Sequence, residues 1–593
     1  MNSANLLALR PVVCVIDALH RDLNVADDAR RGLFTHAGVT LDLGLRPDWL
    51  HDGLAADEEW RIEWVKLYEG LDLGHAYAAT GNVAHLDAWQ DLVDSFLDQV
   101  PVGHDTSDVN ARRMQNWIYA WQRFAAAKGF AGLRPGLLGR IVERLAADAD
   151  YLADHLTAER NHRTLELYAL LVVGMALGDS VRTAAALRLL AENATVDIGD
   201  DGVQRERSSD YHMIVLRSLI GAIANCRAGG LATPPLLVHQ VHLACTFGLH
   251  LQRPDGTTPA LSDGDQADFR AMLLDAADLL DRPDLRWAAT GGREGEPPHD
   301  RHASFPSGGY VTQRSGWGDG TRAYVDERWA VLDCGPLGDG GHGHYDHLSV
   351  ELAAGGHRLV VDPGRYTYAD GPWREWFKGT AAHNTVTVDG LDQQPYRSGR
   401  PKGPQSTATL IARHNVNVPC QSTDVPFDLV IARATSPRYD AVHTRTLALL
   451  DEDYWVVHDH LDAPTEHDYV LRWHLDVDAE DATELTVAAG CAIVRAPGGT
   501  IAMALLDGTD ATVETGWVSP TYGVRHPAPV VALTSPRAFR GAFVTVVVPG
   551  DRRPVAVTLD TAGPRTGVSV HWDNHIDAIT WTERRARAER LPC

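Results

Sequence analysis

The densest run of side chains able to do chemistry is GHGHYDHL, Gly341–Leu348, followed by VVDPGRYTY, Val360–Tyr368, and AAHNTV, Ala381–Val386. In an extended strand, side chains alternate, so His342, His344 and Asp346 project to one face and His347 to the other. Two imidazoles joined by an Asp and a His from neighbouring segments make the nitrogen and oxygen donor set that suits zinc. Asp362 and His383, each at the end of a β-branched run, are the natural additional ligands. The competing reading, hydrogen bonding within a sheet, fits a lone His357 or His443 better than it fits this cluster.

A second constellation stands at the starts of apolar helical runs. Asn161 and His162 open one (AERNHRTLELYALLVVG), and Tyr211 and His212 open another (DGVQRERSSDYHMIVL). Helix starts present unpaired backbone N–H groups that favour anions. The plainer readings are a helix cap for Asn161 and a core ring for Tyr211. Trp117 and Trp121, four apart on one helical face, are candidates to stack on a ring-shaped ligand or to pack inside the helical layer.

These groups need elements to hold them. From about residue 56 to residue 290, apolar residues recur at three and four and Pro is sparse inside the runs, which predicts many amphipathic helices joined by short connections, as in a helical bundle or an α/α toroid. Examples are Asn110–Ala127, Arg163–Leu177, Tyr211–Asn225 and Ala267–Leu280. The polar, Gly- and Pro-rich stretch Gly291–Pro306 marks a linker. Beyond it come short β-branched runs such as YVTQR, RLVVDPG, YWVVHDHLD, YVLRWHL and FVTVVV, which predict an antiparallel β-sandwich. The fold class is therefore α+β multidomain: a helical α/α domain over 1–290, a linker over 291–306 and a sandwich over 307–593. The final WTERRARAERLPC reads as an exposed helical or frayed tail.

The chain has 593 residues, 44% of them hydrophobic, and a net charge of −25. That balance argues against nucleic acid or an anionic membrane as a partner, because such surfaces select basic proteins. It leaves room for a polyanionic substrate held at short range by local Arg and His residues. Seven widely spaced cysteines without a CxxC pair read as reduced thiols. The N-terminal residues lack a basic region before an unbroken apolar run, so the expected location is the cytoplasm.

DGVQRERSSDYH, the NH before an apolar helix, GHGHYDHLSVELAAGGHRLVVDPGRYTY and WREWFKGTAAHNTVTVDG together resemble the heparinase II/III-like polysaccharide lyases, including their alginate and oligoalginate lyase relatives. The resemblance spans most of the chain and implies an α/α toroid followed by an antiparallel β-sandwich. It implies β-elimination on a uronate-containing oligo- or polysaccharide, with a carboxylate-neutralising donor and an acid/base pair. On the matching positions, Asn161 and His162 contact the carboxylate, Tyr211 is the catalytic tyrosine and His342 is the base or a carboxylate contact. His344, Asp362 and His383 resemble the family's zinc set, which is mainly structural. Arg205, Arg365, Arg374, Tyr366, Tyr368 and Trp117 are expected around the substrate. The expected action is exo, on short chains, and a homodimer is compatible with the pattern.

Two other classes compete. The string H-x-H-x-D-H also occurs in metallo-β-lactamase-fold hydrolases, where it holds two metals that activate water. A non-catalytic carbohydrate-binding protein of the same fold would need no acid/base set.

Overall fold

The computed structural model describes residues 9–51, 54–397, 399, 402–416, 423–479, 483–488, 490–506, 508–561 and 565–592. Cys420, Cys593 and the first eight residues, used above in the thiol and N-terminal readings, lie outside them. The remaining cysteines, Cys14, Cys226, Cys245, Cys334 and Cys491, are free thiols. Two compact units divide the chain: one comprises residues 1–199 and 213–244, the other 200–212 and 245–593.

The first unit is helical, and its helices alternate between two layers. Glu69–Thr80 packs on Ser107–Ala126, which packs on Arg160–Leu177, while Val83–Gln99 packs on Leu137–Asp154. Burial separates the layers. Leu137–Asp154 buries Leu137, Ile141, Leu145, Ala149 and Leu152, the three-and-four spacing of a helix with one wet face. Arg160–Leu177 buries every residue from Leu167 to Gly174, as a helix enclosed on all sides must. Tight corners keep neighbours antiparallel. Gly178, at φ 72°, closes Arg160–Leu177, and the next residue, Asp179, caps Ser180–Asp197 by accepting from the N–H groups of Val181 and Arg182.

The second unit is built on antiparallel sheets. A five-stranded meander runs through Ala303–Phe305, Tyr310–Arg314, Trp329–Asp333, Val350–Ala354 and His357–Val360. An eight-stranded sheet contains Phe427–Thr435, Val442–Leu450, Tyr454–His467 and Ala538–Pro549, and a four-stranded sheet contains Val386–Val388, Tyr469–His474, Val524–Thr534 and Asp510–Thr521. Period two explains how the large sheet is covered on both faces. Val430, Ala432, Leu447, Leu449, Trp455 and Val457 join a core shared with the meander and the four-stranded sheet. The intervening Leu429, Ile431, Ala448, Leu450, Tyr454 and Val456 join another, shared with the C-terminal strands. Strands buried on both faces read as continuous apolar runs, which is why YWVV and FVTVVV stand out in the sequence.

The structure corrects three expectations. The tail is not helical or frayed: His575–Thr582 and Arg585–Pro592 form a β-hairpin, and Ala588 enters the core. The Arg-Ala alternation of RARAER is a period-two pattern with its small residues inward. Ala303–Phe305, inside the expected linker, is already a strand. The segment around His342 and His344 is an irregular loop between Trp329–Asp333 and Val350–Ala354, not a strand.

One buried ion pair ties that loop to the sheet. Arg445, fully buried, donates to both oxygens of Asp459 at 2.7 and 3.0 Å and to the carbonyls of Leu348 and Asn384. Burial opposes a charge on Asp459, but Arg445 and His443 hold its carboxyl well below the usual range. Removing the carboxylate leaves a buried guanidinium with two carbonyl acceptors but no counter-charge. Asp459→Ala is therefore expected to lower unfolding free energy by about 3–5 kcal/mol, read from the denaturant midpoint of the strand-rich unit, whereas a neutral result would dismiss Arg445 as a tie.

Candidate active site

The second unit gathers most of the chemistry around Asp263, a residue not singled out from the sequence. Asp263 lies in the loop between the short strands Thr257–Thr258 and Ala267–Asp268 and is fully buried. Its backbone N–H donates to the His342 carbonyl at 3.1 Å. Its Oδ2 lies 2.9 Å from His342 Nδ1, and its Oδ1 lies 3.0 Å from His344 Nε2. Arg374, 2% exposed, forks both oxygens, one bond measuring 2.8 Å. Burial alone would raise the Asp263 pKa, but Arg374 and the two imidazoles hold it well below the carboxylate range.

The loop that carries His342 reaches this position because two glycines permit it. At Gly338 a Cβ would stand 2.0 Å from the Glu206 carbonyl oxygen, and Gly341 sits at φ 91°. His342 Nε2 in turn lies 3.4 Å from Glu206 Oε2. A buried carboxylate on each side of one imidazole can orient it and stabilise it when it becomes charged.

Tyr211 packs against His342 with ring centroids 4.1 Å apart. Its hydroxyl lies 2.9 Å from that of Tyr368, and Arg365 Nη1 donates to the Tyr368 oxygen at 2.6 Å. Burial first, and then the neighbouring Tyr368, push the Tyr211 hydroxyl well above the ordinary phenol range, against the pull of Arg365. Tyr211 is therefore a neutral acid at neutral pH. Arg365 is itself anchored by Asp265 at 2.8 and 2.9 Å.

His344, Asp362 and His383 converge as one fully buried group, each offering one ligand atom within 4.8 Å of the others. Their surroundings set the tautomers. His344 gives Nε2 to Asp263, and His383 gives Nδ1 to the Gly379 carbonyl at 2.8 Å. The nitrogens left with lone pairs, His344 Nδ1 and His383 Nε2, face each other at 3.1 Å, and Asp362 Oδ2 lies 3.7 Å from the latter. Two lone pairs and a carboxylate oxygen aimed at one point make a cation site whose orienting partners are already in place. Burial also pushes both imidazoles down to about 4, which keeps them neutral as ligands must be. The residues present fit a metal.

Other expected residues fall elsewhere. Asn161 and His162 belong to the helical unit, in the first turn of Arg160–Leu177, where Asn161 is buried and His162 exposed. Trp117 is corrected: it is 1% exposed and packs edge-to-face on Phe96, so it has no ring face left for a sugar. Arg374 is corrected likewise, its guanidinium being committed to Asp263 rather than open to a substrate carboxylate. Arg205 pairs with Asp339 at 2.7 Å, just ahead of the His342 loop. Tyr366, at φ 55°, packs with Trp373 and Phe377. The hydrolase reading loses its motif: His347 turns away to Ser406 Oγ at 2.9 Å, His342 turns to Asp263, and strands and helices do not alternate around the loop.

Comparison with known proteins gives the chain's family and fold. A family model described as heparinase II/III N-terminus matches residues 22–285, and one described as heparinase II/III-like, C-terminal, matches residues 297–581. A heparin-sulfate lyase of Pedobacter heparinus is 22% identical over 518 residues, covering 83% of this chain and 74% of that protein. One of Bacteroides stercoris is 23% identical over 483 residues, covering 74% and 67%. Among solved structures, heparinase III aligns with a TM-score of 0.76 at 15% identity, over 98% of this chain and 92% of that one. A mutant of a heparan sulfate lyase from Pedobacter heparinus aligns with a TM-score of 0.67 at 19% identity, over 98% and 90%. The structural likeness is one of fold, but both halves of a single family model pair are met in order along the sequence, and the chain belongs to the heparinase II/III-like family.

Proposed function

We propose that this chain is a polysaccharide lyase that cleaves uronate-containing glycosaminoglycan of the heparan-sulfate class by β-elimination. The observation that carries the reading is the pairing of a neutral phenol with a carboxylate-oriented imidazole: Tyr211 against His342, with Asp263 on His342 Nδ1. The relatives' names supply the substrate class.

The carbon next to a uronate carboxylate is a weak acid, so its proton leaves only if the negative charge that spreads onto the carboxylate is met by donors. The family resemblance assigns an amide donor for that task to Asn161, with His162 next to it in the sequence. With Asp263 accepting from Nδ1–H, His342 keeps a lone pair on Nε2 and takes the carbon-5 proton there. The resulting imidazolium lies between Asp263 and Glu206. The electron pair of the broken C–H bond forms the new carbon–carbon double bond, and the bond to the glycosidic oxygen breaks. Tyr211 donates its proton to that departing oxygen. Because the Tyr368 oxygen already accepts from Arg365, the Tyr368 proton is available to the Tyr211 oxygen, which stabilises the phenolate left behind. Proton exchange with water then returns both groups to their starting states.

We assign zinc to His344, Asp362 and His383. Bound there, it supplies a structural cross-link between the His344 loop, the Asp362 turn and the His383 segment. Asp263 grips a ligand of that group and the catalytic imidazole with the same carboxylate. Exo action on short chains remains part of the proposal, and the ends released from defined oligosaccharides test it.

Incubation with heparan-sulfate oligosaccharides should generate the absorbance of a conjugated unsaturated uronate, and Tyr211→Phe should lower kcat by about 10²–10⁴-fold. Failure of the wild-type protein to produce that chromophore from any uronate glycan would remove the lyase reading. Elemental analysis of purified protein should find zinc, and His383→Ala should lose it with a fall in melting temperature; full thermal stability in that variant would dismiss a structural metal. Asp263→Asn is expected to weaken metal retention by about 10–100-fold and to lower kcat by at least about 10²-fold together. A change in one quantity without the other would uncouple the two roles assigned to Asp263.

A further inference from the structure

The hairpin formed by Asp510–Thr521 and Val524–Thr534 is stitched to the segment that carries Tyr366 and Tyr368. Ser519 N–H donates to the Pro363 carbonyl at 2.7 Å, Gly523 N–H to the Tyr366 carbonyl at 2.8 Å, and Tyr368 N–H to the Tyr522 hydroxyl at 2.9 Å. Arg525, just past the tip, is thereby brought against Tyr366, two residues before Tyr368.

Its surroundings are aromatic. The Arg525 guanidinium carbon stands 3.7 Å from the Trp373 ring centroid, 4.5 Å from that of Tyr366 and 5.1 Å from that of Trp517. Trp373 and Trp517 meet edge-to-face at 5.2 Å. These rings stabilise the cation through their faces but accept none of its N–H donors in a strong hydrogen bond. Arg525 Nε is buried and has no hydrogen-bond partner. Among the described residues no carboxylate lies within ion-pair distance of Arg525, although Arg472, on the same four-stranded sheet, pairs with Glu514 at 3.0 Å. In a chain with 79 acidic and 54 basic side chains, an arginine held by rings and left without an acid is arranged for a ligand's anion. The half-buried Trp373 and Trp517 are ring types that suit a sugar, and a guanidinium fork suits a sulfate or carboxylate.

We infer that Arg525, Trp373 and Trp517 form a subsite for an anionic group, sulfate or carboxylate, on a sugar residue flanking the bond that is cleaved. The inference rests on the lyase reading for its substrate class. Binding is measured apart from turnover, by calorimetry in the Tyr211→Phe background, with a heparan-sulfate hexasaccharide and its desulfated counterpart. Arg525→Met keeps the alkyl stem on the rings and should weaken binding by about tenfold, and Arg525→Lys should recover part of the loss. Weakening confined to the sulfated ligand identifies sulfate as the partner, and weakening with both identifies the carboxylate. Equal affinity of Arg525→Met and its parent for both ligands, or no recovery in Arg525→Lys, overturns the subsite, with melting temperature reporting that each variant is folded. Unsaturated product from the wild-type protein, with affinity independent of Arg525, would leave the lyase reading intact and sink only this inference. Arg525-dependent binding without product would do the reverse.

Discussion

The arrangement of the strand-rich unit's chemistry depends on one buried carboxylate. Asp263 accepts from three cationic or potentially cationic side chains at once, and each does something different: His342 faces Tyr211, His344 belongs to the metal group, and Arg374 supplies the charge that lets the carboxylate stay ionised. A carboxylate without that guanidinium would protonate on burial and lose the acceptor oxygen that fixes His342's tautomer. Arg374 is thus needed by the site without being open to the substrate. The same carboxylate makes the positions of His342 and His344 interdependent, because each imidazole takes one of its two oxygens.

Rigidity for such an arrangement has to come from outside the loop. The residues from His342 to His347 have no ladder hydrogen bonds of their own, so their backbone groups are met by side chains and by neighbouring segments. Lys378 donates to the Gly341 carbonyl, Tyr345 N–H to the Lys378 carbonyl, and Arg445 to the Leu348 carbonyl. Burial brings Lys378 down to about 8, against the pull of Asp263, yet its ammonium still caps the loop. An irregular loop anchored by buried cations can still divide its imidazoles between two sides, as a strand would. His342 and His344 converge on one acceptor while His347 goes to Ser406.

The architecture was legible because its signals are local. Three-and-four spacing in Leu137–Asp154, and the unbroken apolar runs of Tyr454–His467 and Ala538–Pro549, need only a few neighbouring residues to be read. The same locality misled where alternation arose for another reason. H-x-H-x-D imitates a strand, but Gly341 and the left-handed Leu348 at φ 66° bend the chain out of one. RARAER has the charge of a solvated helix and the period of a strand, and the small Ala588 enters the core. Metal-group candidates could be named because imidazoles and a carboxylate cluster in sequence. Asp263 could not, since its partners lie 79, 81 and 111 residues away and SDGD looks like any polar turn. Arg525 was invisible for the same reason: being unpaired is a property of space, and only the fold reveals which arginines have found an acid.

The net charge of −25 acquires a different meaning at this scale. At physiological ionic strength, charges more than about 8 Å apart across solvent are largely screened, so an anionic glycan responds to the groups it touches rather than to the total. Those groups are mostly balanced here. Arg365 is matched by Asp265, Arg374 by Asp263 and Arg205 by Asp339, while the imidazoles of the metal group are neutral. A site composed of matched pairs attracts no polyanion by excess charge. It has to recognise one through directed donors, and a guanidinium held by aromatic rings keeps its donors free without a competing carboxylate to displace. On the proposed reading, matched pairs orient the acid and base and unmatched donors take the ligand; separating those tasks would let an acidic protein process an acidic chain.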